Sequence, residues 1–231
     1  MKKKNKGINL GIIPARGNSK RLKNKNIHLC AGKPLIYWTA NSALKSKLDL
    51  VMLSTDDKKI AETGKKIGLE VPFLRPAELS RDSSKSLPVI QNALNYYIDR
   101  KIKINSITLL QPTSPLRKDT HINDCLDLFN LKKDSTVVSV SKLPNKFHPK
   151  KLYKIDNNGK INNFNDYEPN KILVRNGPAI LISSPDTILS GKLYSNEIIT
   201  YEMNEWQSID IDTIEDLLIA ETLINHYGYN D

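Results

Sequence analysis

Short runs of apolar, often β-branched residues alternate along this chain with stretches whose apolar positions recur every three to four residues. That alternation predicts strands and helices in turn, and hence a mainly parallel α/β sheet. Strands are expected over 10–13, 50–54, 71–74, 106–110, 136–140, 179–182 and 199–203. Helices are expected over 34–46, 58–67, 86–99, 119–131 and 213–227. Gly68 reads as the stop of the second helix, and Thr213 as the cap of the last, with Glu215 and Asp216 in its first turn. A short extended run over 208–211 leads into that last helix.

The pattern changes between 144 and 175, where Asn, Lys, Asp and Pro dominate and Asn157-Asn158-Gly159 signals a hairpin turn. The expectation is one α/β domain over 1–231, carrying a small inserted β lobe at about 144–175. No internal repeat or low-complexity linker interrupts it. With 231 residues, 39% hydrophobic and 26% charged, the chain reads as a soluble globular protein. No apolar run approaches the roughly 18 residues of a membrane helix. The basic start and the apolar run over 8–13 are too short for a signal-peptide core and read as a tail plus the first strand. Cys30 and Cys125 make no disulfide framework and no CxxC pair, which fits a reducing cytoplasm. His28, His121, His148 and His226 show no metal-ligand spacing and read as structural or surface residues.

The net charge of +10 becomes informative once located. Residues 1–48 hold twelve Lys and Arg and no acid, so the remainder carries 35 − 12 = 23 basic against 25 acidic residues, a net of −2. The excess therefore sits at one end, without interleaved aromatics between Lys2 and Pro34. A nucleic-acid binder spreads such charge over a face and mixes aromatics into it.

Much of that charge lies just after the first strand. Arg16, Lys20, Arg21, Lys23 and Lys25 fall within eleven positions, among Asn18, Ser19, Asn24 and Asn26. Crowded cations at the carboxyl end of a strand suit a nucleoside triphosphate, although a solvated basic loop reads equally well from this stretch alone. The loop is neither a P-loop nor a GxGxxG turn, so side chains would carry most of the phosphate binding. Polar clusters also follow the second strand (54–57) and the 106–110 strand (111–117), where ligands of open α/β sheets bind. Near the end, Ile209-Asp210-Ile211-Asp212 reads as a strand with both carboxylates on one face and both isoleucines packed. Two such carboxylates suit a Mg²⁺ shared with substrate phosphates. Taken alone, the pair also reads as one aspartate capping the final helix and the other on the surface.

Seven stretches in order, IIPARGNSKRLKNKN, AGKPLIYWT, STDD, RPAELSRDSSKS, LLQPTSPLR, RNGPAIL and SIDIDTIEDL, resemble the acylneuraminate cytidylyltransferases (CMP-sialic acid synthetases) across nearly the whole chain. The resemblance implies a mixed, mostly parallel α/β sheet of nucleotidyltransferase type and a homodimer formed partly through the inserted lobe. It implies transfer of CMP from CTP to the anomeric hydroxyl of a nine-carbon α-keto acid sugar, with release of pyrophosphate. By this resemblance Arg16, Ser19, Lys25 and Asn26 bind CTP, Arg16 and Lys25 at its phosphates. Arg75 and Ser86 read the cytosine. Gln111, Arg175 and either Lys151 or its neighbour Lys150 contact the sugar, and Asp210 and Asp212 hold Mg²⁺. The expected protein is a cytoplasmic enzyme with no nucleic-acid or membrane partner.

Two departures stand out. Many members of the family carry Gly where this chain has Arg21, which reads either as an added phosphate contact or as a solvent-facing side chain. The Arg175-to-Ala179 turn reads NGPA rather than NGA, resembling the branch that activates legionaminic or related di-amino sugars. A synthetase for the eight-carbon acid Kdo is the nearest competing reaction, and the Lys25-Asn26 end of the opening motif weighs against it. A binding module on a retained α/β fold is the alternative of a different class, suggested only by the +10 charge.

Overall fold

The computed structural model describes residues 7–19, 21–81, 84–163, 172–177 and 179–229. In chain order they form β1 (Ile8–Pro14), β2 (Leu29–Cys30), β3 (Lys33–Pro34), α1 (Leu35–Leu44), β4 (Leu50–Ser54), α2 (Lys58–Ile67), α3 (Ser86–Asp99), β5 (Ile104–Leu109), α4 (Asp119–Leu131) and β6 (Thr136–Lys142). There follow β7 (Tyr153–Ile155), β8 (Ile161–Asn163), β9 (Leu173–Arg175), β10 (Leu181–Ser183), α5 (Pro185–Leu189), β11 (Ile198–Met203) and α6 (Ile214–Tyr227). Short 3₁₀ turns join several of them. The α/β class read from the sequence is the fold observed.

Among the described residues the main sheet has seven strands, six in the order β11-β6-β10-β5-β1-β4 and β9 paired to the far end of β6. β1 runs parallel to β4 and β5, and β11 parallel to β6. β10 lies antiparallel to both β5 and β6, and β9 antiparallel to β6. Five strands thus share one direction and two reverse it. β1 sits between β5 and β4, and Leu10, Ile12 and Ile13 in it are fully buried. Alternate residues serve opposite faces: Ile13 joins the core under α1, α2 and α4, whereas Leu10 and Ile12 join the core under α3 and α5. Parallel strands covered on both sides read as continuous apolar runs, which is why the INLGII segment was legible as a strand.

Local signals set the helix ends. Asp57 caps α2 by accepting the Lys59 and Ile60 N–H groups at 2.7 and 3.0 Å. Gly68 ends it at φ 105°, a left-handed position that glycine adopts without strain. α6 starts with a reciprocal cap: the Thr213 hydroxyl accepts the Asp216 N–H, and the Asp216 carboxylate accepts the Thr213 N–H.

Two expectations fail. Residues 71–74 form no strand. Glu70 bridges to β4, with Glu70 N–H donating to Val51 O and Leu53 N–H to Glu70 O. The next donor on that side would be residue 72, and Pro72 has no N–H to continue the ladder. Nor is 208–211 a strand. Glu205–Ser208 is a 3₁₀ turn, and the chain then runs extended, its Ile211 N–H donating to Thr113 O at 2.8 Å. A third core built around α6, α1, Ile211 and Trp38 holds this segment. Trp206 stacks on Tyr227 with ring centroids 4.1 Å apart.

Thr213→Ala removes one half of the α6 cap. It is expected to cost about 1 kcal/mol and lower the melting temperature by about 2–4 °C, read by thermal unfolding.

Candidate active site

The carboxyl ends of β1 and β5 open into a cavity of about 550 Å³ whose walls include Arg16, Ser19, Arg21, Lys25, Asn26, Arg75, Ser86, Gln111, Thr113 and Asp212. That volume lies within the range of small-molecule sites. Eight of the residues expected to bind CTP, metal or sugar therefore share one space.

The opening loop is built from the inside. The Ser19 hydroxyl donates to Leu22 O at 2.7 Å and accepts the Lys25 N–H at 3.0 Å. Asn26, buried, donates to Arg16 O at 2.9 Å. These polar side chains fold the loop so that its cations converge. Lys20 lies outside the described residues. Gly17 N–H donates to Asp56 Oδ1 at 3.0 Å, and a Cβ on Gly17 would come within 2.8 Å of Asp57. Glycine is thus required here by close approach to the loop after β4.

Asp56 also faces a cation. Arg75 is only 7% exposed, and its Nη2 lies 3.7 Å from Asp56, an ion pair without a hydrogen bond. Its Nε and Nη2 have no hydrogen-bond partner among the described residues. Burial pulls its pKa down, Asp56 opposes that shift, and Arg16 adds to it. A desolvated, underpaired guanidinium on the wall of a cavity is a ready recognition group for a polar or anionic ligand.

The two aspartates near the chain's end do not share one setting. Asp212 lines the large cavity: its Oδ2 takes Arg21 Nη1 at 2.6 Å and its Oδ1 takes Lys25 Nζ at 3.2 Å. Lys25 Nζ also donates to Ile211 O at 2.7 Å. Asp216 accepts the Asp212 N–H, so the main chain there is held by the α6 cap. Burial would raise the Asp216 pKa, but the Asp212 and Thr213 donors more than offset this and hold it below the ordinary range. Asp210 lines an adjoining cleft of about 320 Å³ with Arg175, Lys146, Phe147 and Asn176. Burial raises its carboxyl above the ordinary value, the Thr113 hydroxyl opposes, and the Asp212 charge adds. The segment is extended chain rather than a strand; Ile209 and Ile211 pack as expected, and the two acids sense each other while lining separate spaces. Gln111 lines the larger cavity, and its Oε1 lies 3.4 Å from where a Cβ on Gly177, a residue of the cleft, would lie.

Arg175 reaches the Tyr194 hydroxyl at 2.9 Å. Lys151 is exposed, donates to Asn145 Oδ1 at 3.2 Å and lines neither cavity; Lys146 is the lysine at the cleft. Pro178 of the NGPA turn and residues 164–171 of the expected lobe lie outside the described residues. β7 and β8 form the hairpin around Gly159 at φ 76°. Arg81, Lys85 and Thr113 also line the cavity and were not singled out from the sequence, although all three fall within the motif stretches.

Both thiols are buried, with Cys30 pushed up to about 12 first by burial and then by Glu221. Neither is a nucleophile at neutral pH. Burial and Arg117 pull His121 down to about 4, so it is neutral.

The model of the cytidylyltransferase family matches residues 10–226. The chain belongs to the cytidylyltransferase family. It is a nucleotidyltransferase. A CMP-N,N'-diacetyllegionaminic acid synthase of Legionella pneumophila is 35% identical over 224 residues, covering 93% of this chain and 95% of the relative. An N-acylneuraminate cytidylyltransferase of Escherichia coli O18:K1:H7 is 32% identical over 93% of this chain, which spans 51% of that longer relative. In fold, the chain is similar to a CMP:2-keto-3-deoxy-manno-octonic acid synthetase complexed with CTP, with TM-score 0.72 and 15% identity over 96% of this chain and 100% of that one.

Asp56 ties Gly17 to Arg75. Asp56→Ala is expected to weaken CTP binding by about tenfold, the effect of one charged hydrogen bond, and to leave sugar affinity near the native value. Calorimetric titration of each substrate checks it.

Proposed function

We propose that this cytidylyltransferase joins CMP from CTP to the anomeric hydroxyl of a nonulosonic acid: N-acetylneuraminic, legionaminic or a related nine-carbon α-keto acid sugar. The observation that carries the reading is the cavity in which Arg16, Lys25, Arg75, Ser86 and Asp212 converge at the carboxyl ends of β1 and β5. The sugar oxygen attacks the α-phosphorus, a new P–O bond forms, and the bond to the leaving pyrophosphate breaks. No covalent enzyme intermediate is needed.

The chain's own groups supply binding and charge. Arg16 and Lys25 hold the triphosphate and stabilise the departing pyrophosphate. Ser19 and Asn26 keep the loop in the shape that aims them. Arg75 and Ser86 read the base, the underpaired Arg75 guanidinium meeting a polar edge of the cytosine. Gln111 and Arg175 receive the sugar acid.

Asp210 and Asp212 are the residues that would hold Mg²⁺. Among the described residues no cluster of three or more His, Cys, Asp and Glu forms a closed metal cage. Two carboxylates near enough for the Asp212 charge to add to the upward shift that burial gives Asp210 would, with triphosphate oxygens, make the hard-oxygen set that suits Mg²⁺. When bound, Mg²⁺ lowers the pKa of the attacking hydroxyl and neutralises charge at the α-phosphorus.

The reading extends to a cytoplasmic homodimer, with the lobe at about 144–175 of a single 1–231 domain at its interface. Lys151 stands on that lobe outside both cavities of its own chain, so its proposed sugar contact is one that a second copy can receive. Among the described residues no helix is long and apolar enough to cross a membrane.

Incubation with CTP, Mg²⁺ and N-acetylneuraminic, legionaminic and pseudaminic acids in turn is expected to release pyrophosphate with at least one sugar; silence with all of them refutes the reading. Asp212→Asn is expected to abolish most turnover with the fold intact by circular dichroism, and near-native turnover removes the metal role. Arg16→Ala is expected to raise the KM for CTP at least about tenfold, the weight of a charged phosphate contact, and to change the KM for sugar little.

A further inference from the structure

Arg21 is the group the reaction scheme leaves unused. It stands where many members of the family carry glycine, yet its Nη1 lies 2.6 Å from Asp212 Oδ2, the shortest contact that carboxylate makes among the described residues. With Lys25 on Oδ1, both oxygens of a proposed metal ligand are taken by cations of the opening loop.

The two cations are not equally held. The Lys25 side chain is 15% exposed and is anchored a second time on Ile211 O. The Arg21 side chain is 71% exposed and lines the mouth of the triphosphate cavity. An exposed pair of this kind is worth at most about 1 kcal/mol, so it exchanges partners readily. A guanidinium also binds phosphate bidentately, which makes a triphosphate the better acceptor once one arrives.

We infer that Arg21 is a placeholder for the divalent ion: it neutralises Asp212 in the empty enzyme and passes to the triphosphate when CTP binds, freeing Asp212 for metal, so that nucleotide and metal load together. The inference rests on the nucleotidyl-transfer reading above. It makes Arg21 a positioning residue that couples two ligands, and by linkage the coupling runs both ways.

Mn²⁺ binding followed by electron paramagnetic resonance, with and without CTP and with no sugar present, tests this apart from turnover. Nucleotide-free Arg21→Ala is expected to bind Mn²⁺ about three- to fivefold more tightly than the native enzyme, the weight of one exposed ion pair. CTP should strengthen Mn²⁺ binding less in this variant than in the native enzyme. Its CTP affinity in EDTA should fall several-fold, and Arg21→Lys should lie between. Lys23→Ala removes an exposed charge from the same loop and is expected to leave Mn²⁺ affinity within about twofold, since exposed charges without a close partner act weakly. Unchanged Mn²⁺ affinity in Arg21→Ala, or an equal gain in Lys23→Ala, overturns the inference. No Mn²⁺ binding by the native enzyme even with CTP overturns the metal assignment and this inference together. Pyrophosphate release from the native enzyme with any of the nonulosonic acids, alongside unchanged Mn²⁺ affinity in Arg21→Ala, leaves the reaction standing and removes only the placeholder.

Discussion

Like-charge crowding at the carboxyl end of β1 is the constraint on which the site depends. Three described cations of one loop, Arg16, Arg21 and Lys25, are brought onto the wall of a single cavity. Two carboxylates from distant parts of the chain offset their repulsion: Asp212 on Arg21 and Lys25, and Asp56 beside Arg75, with Arg16 near enough to depress the Arg75 pKa. The compensation is incomplete. Arg75 keeps two nitrogens without a hydrogen-bond partner among the described residues, and Asp212 meets one of its cations, Arg21, at the surface. A site whose charge is only partly balanced by its own protein is poised for an anion that completes it.

Such a loop keeps its shape because the elements it touches are rigid. β1 is buried on both faces between β4 and β5, so the point at which the loop leaves the sheet is set by two cores. On the far side, the 205–212 segment is stacked through Trp206 on Tyr227 and hydrogen-bonded through Ile211 to Thr113. The α6 cap then fixes the Asp212 backbone through Asp216. Arg117 ties the wall below: nearly fully buried, it donates to Ala179 O at 2.6 Å and joins the turn after β5 to the approach of β10. Burial lowers its pKa to about 9, so it remains charged at neutral pH and contributes to the field behind Gln111.

The parts of this arrangement that were legible in the sequence are those in which one local rule dominates. α2 announced its end by Gly68, α6 its start by Thr213 and Asp216, and the sheet its strands by burial on both faces, which makes them uniformly apolar. The two misread strands failed for a reason that no propensity captures. Pairing needs a free edge and a donor at the right residue, and Pro72 removes the donor, whereas 209–212 packs into the α6 core and is tied to the turn after β5. The site was legible as a set of motifs because its residues cluster in seven short stretches. Their partners were not: Arg21 with Asp212 is a contact across 191 positions, and Asp56 with Gly17 one across 39. Only the fold makes those neighbours.

The two ends of the cavity differ in how much of the work of binding is done beforehand. At Arg75 the guanidinium is already stripped of water and lacks full pairing, so its desolvation is part of the cost of folding and is not met again on binding. At Asp212 one partner, Arg21, is exposed, weakly held and exchangeable, while Lys25 stays anchored on Ile211 O. A preorganised group suits the part of a nucleotide that never changes, the base, because rigid polar recognition discriminates by leaving buried groups unpaired with the wrong partner. An exchangeable one suits the triphosphate and metal, whose charges must arrive, rearrange and leave within each turnover. The same logic explains why the sugar end was the least readable. Gln111, Lys146 and the Arg175-to-Gly177 turn come from three separate segments, and Lys146 lies in none of the seven stretches, so no rule of the fold announces them together.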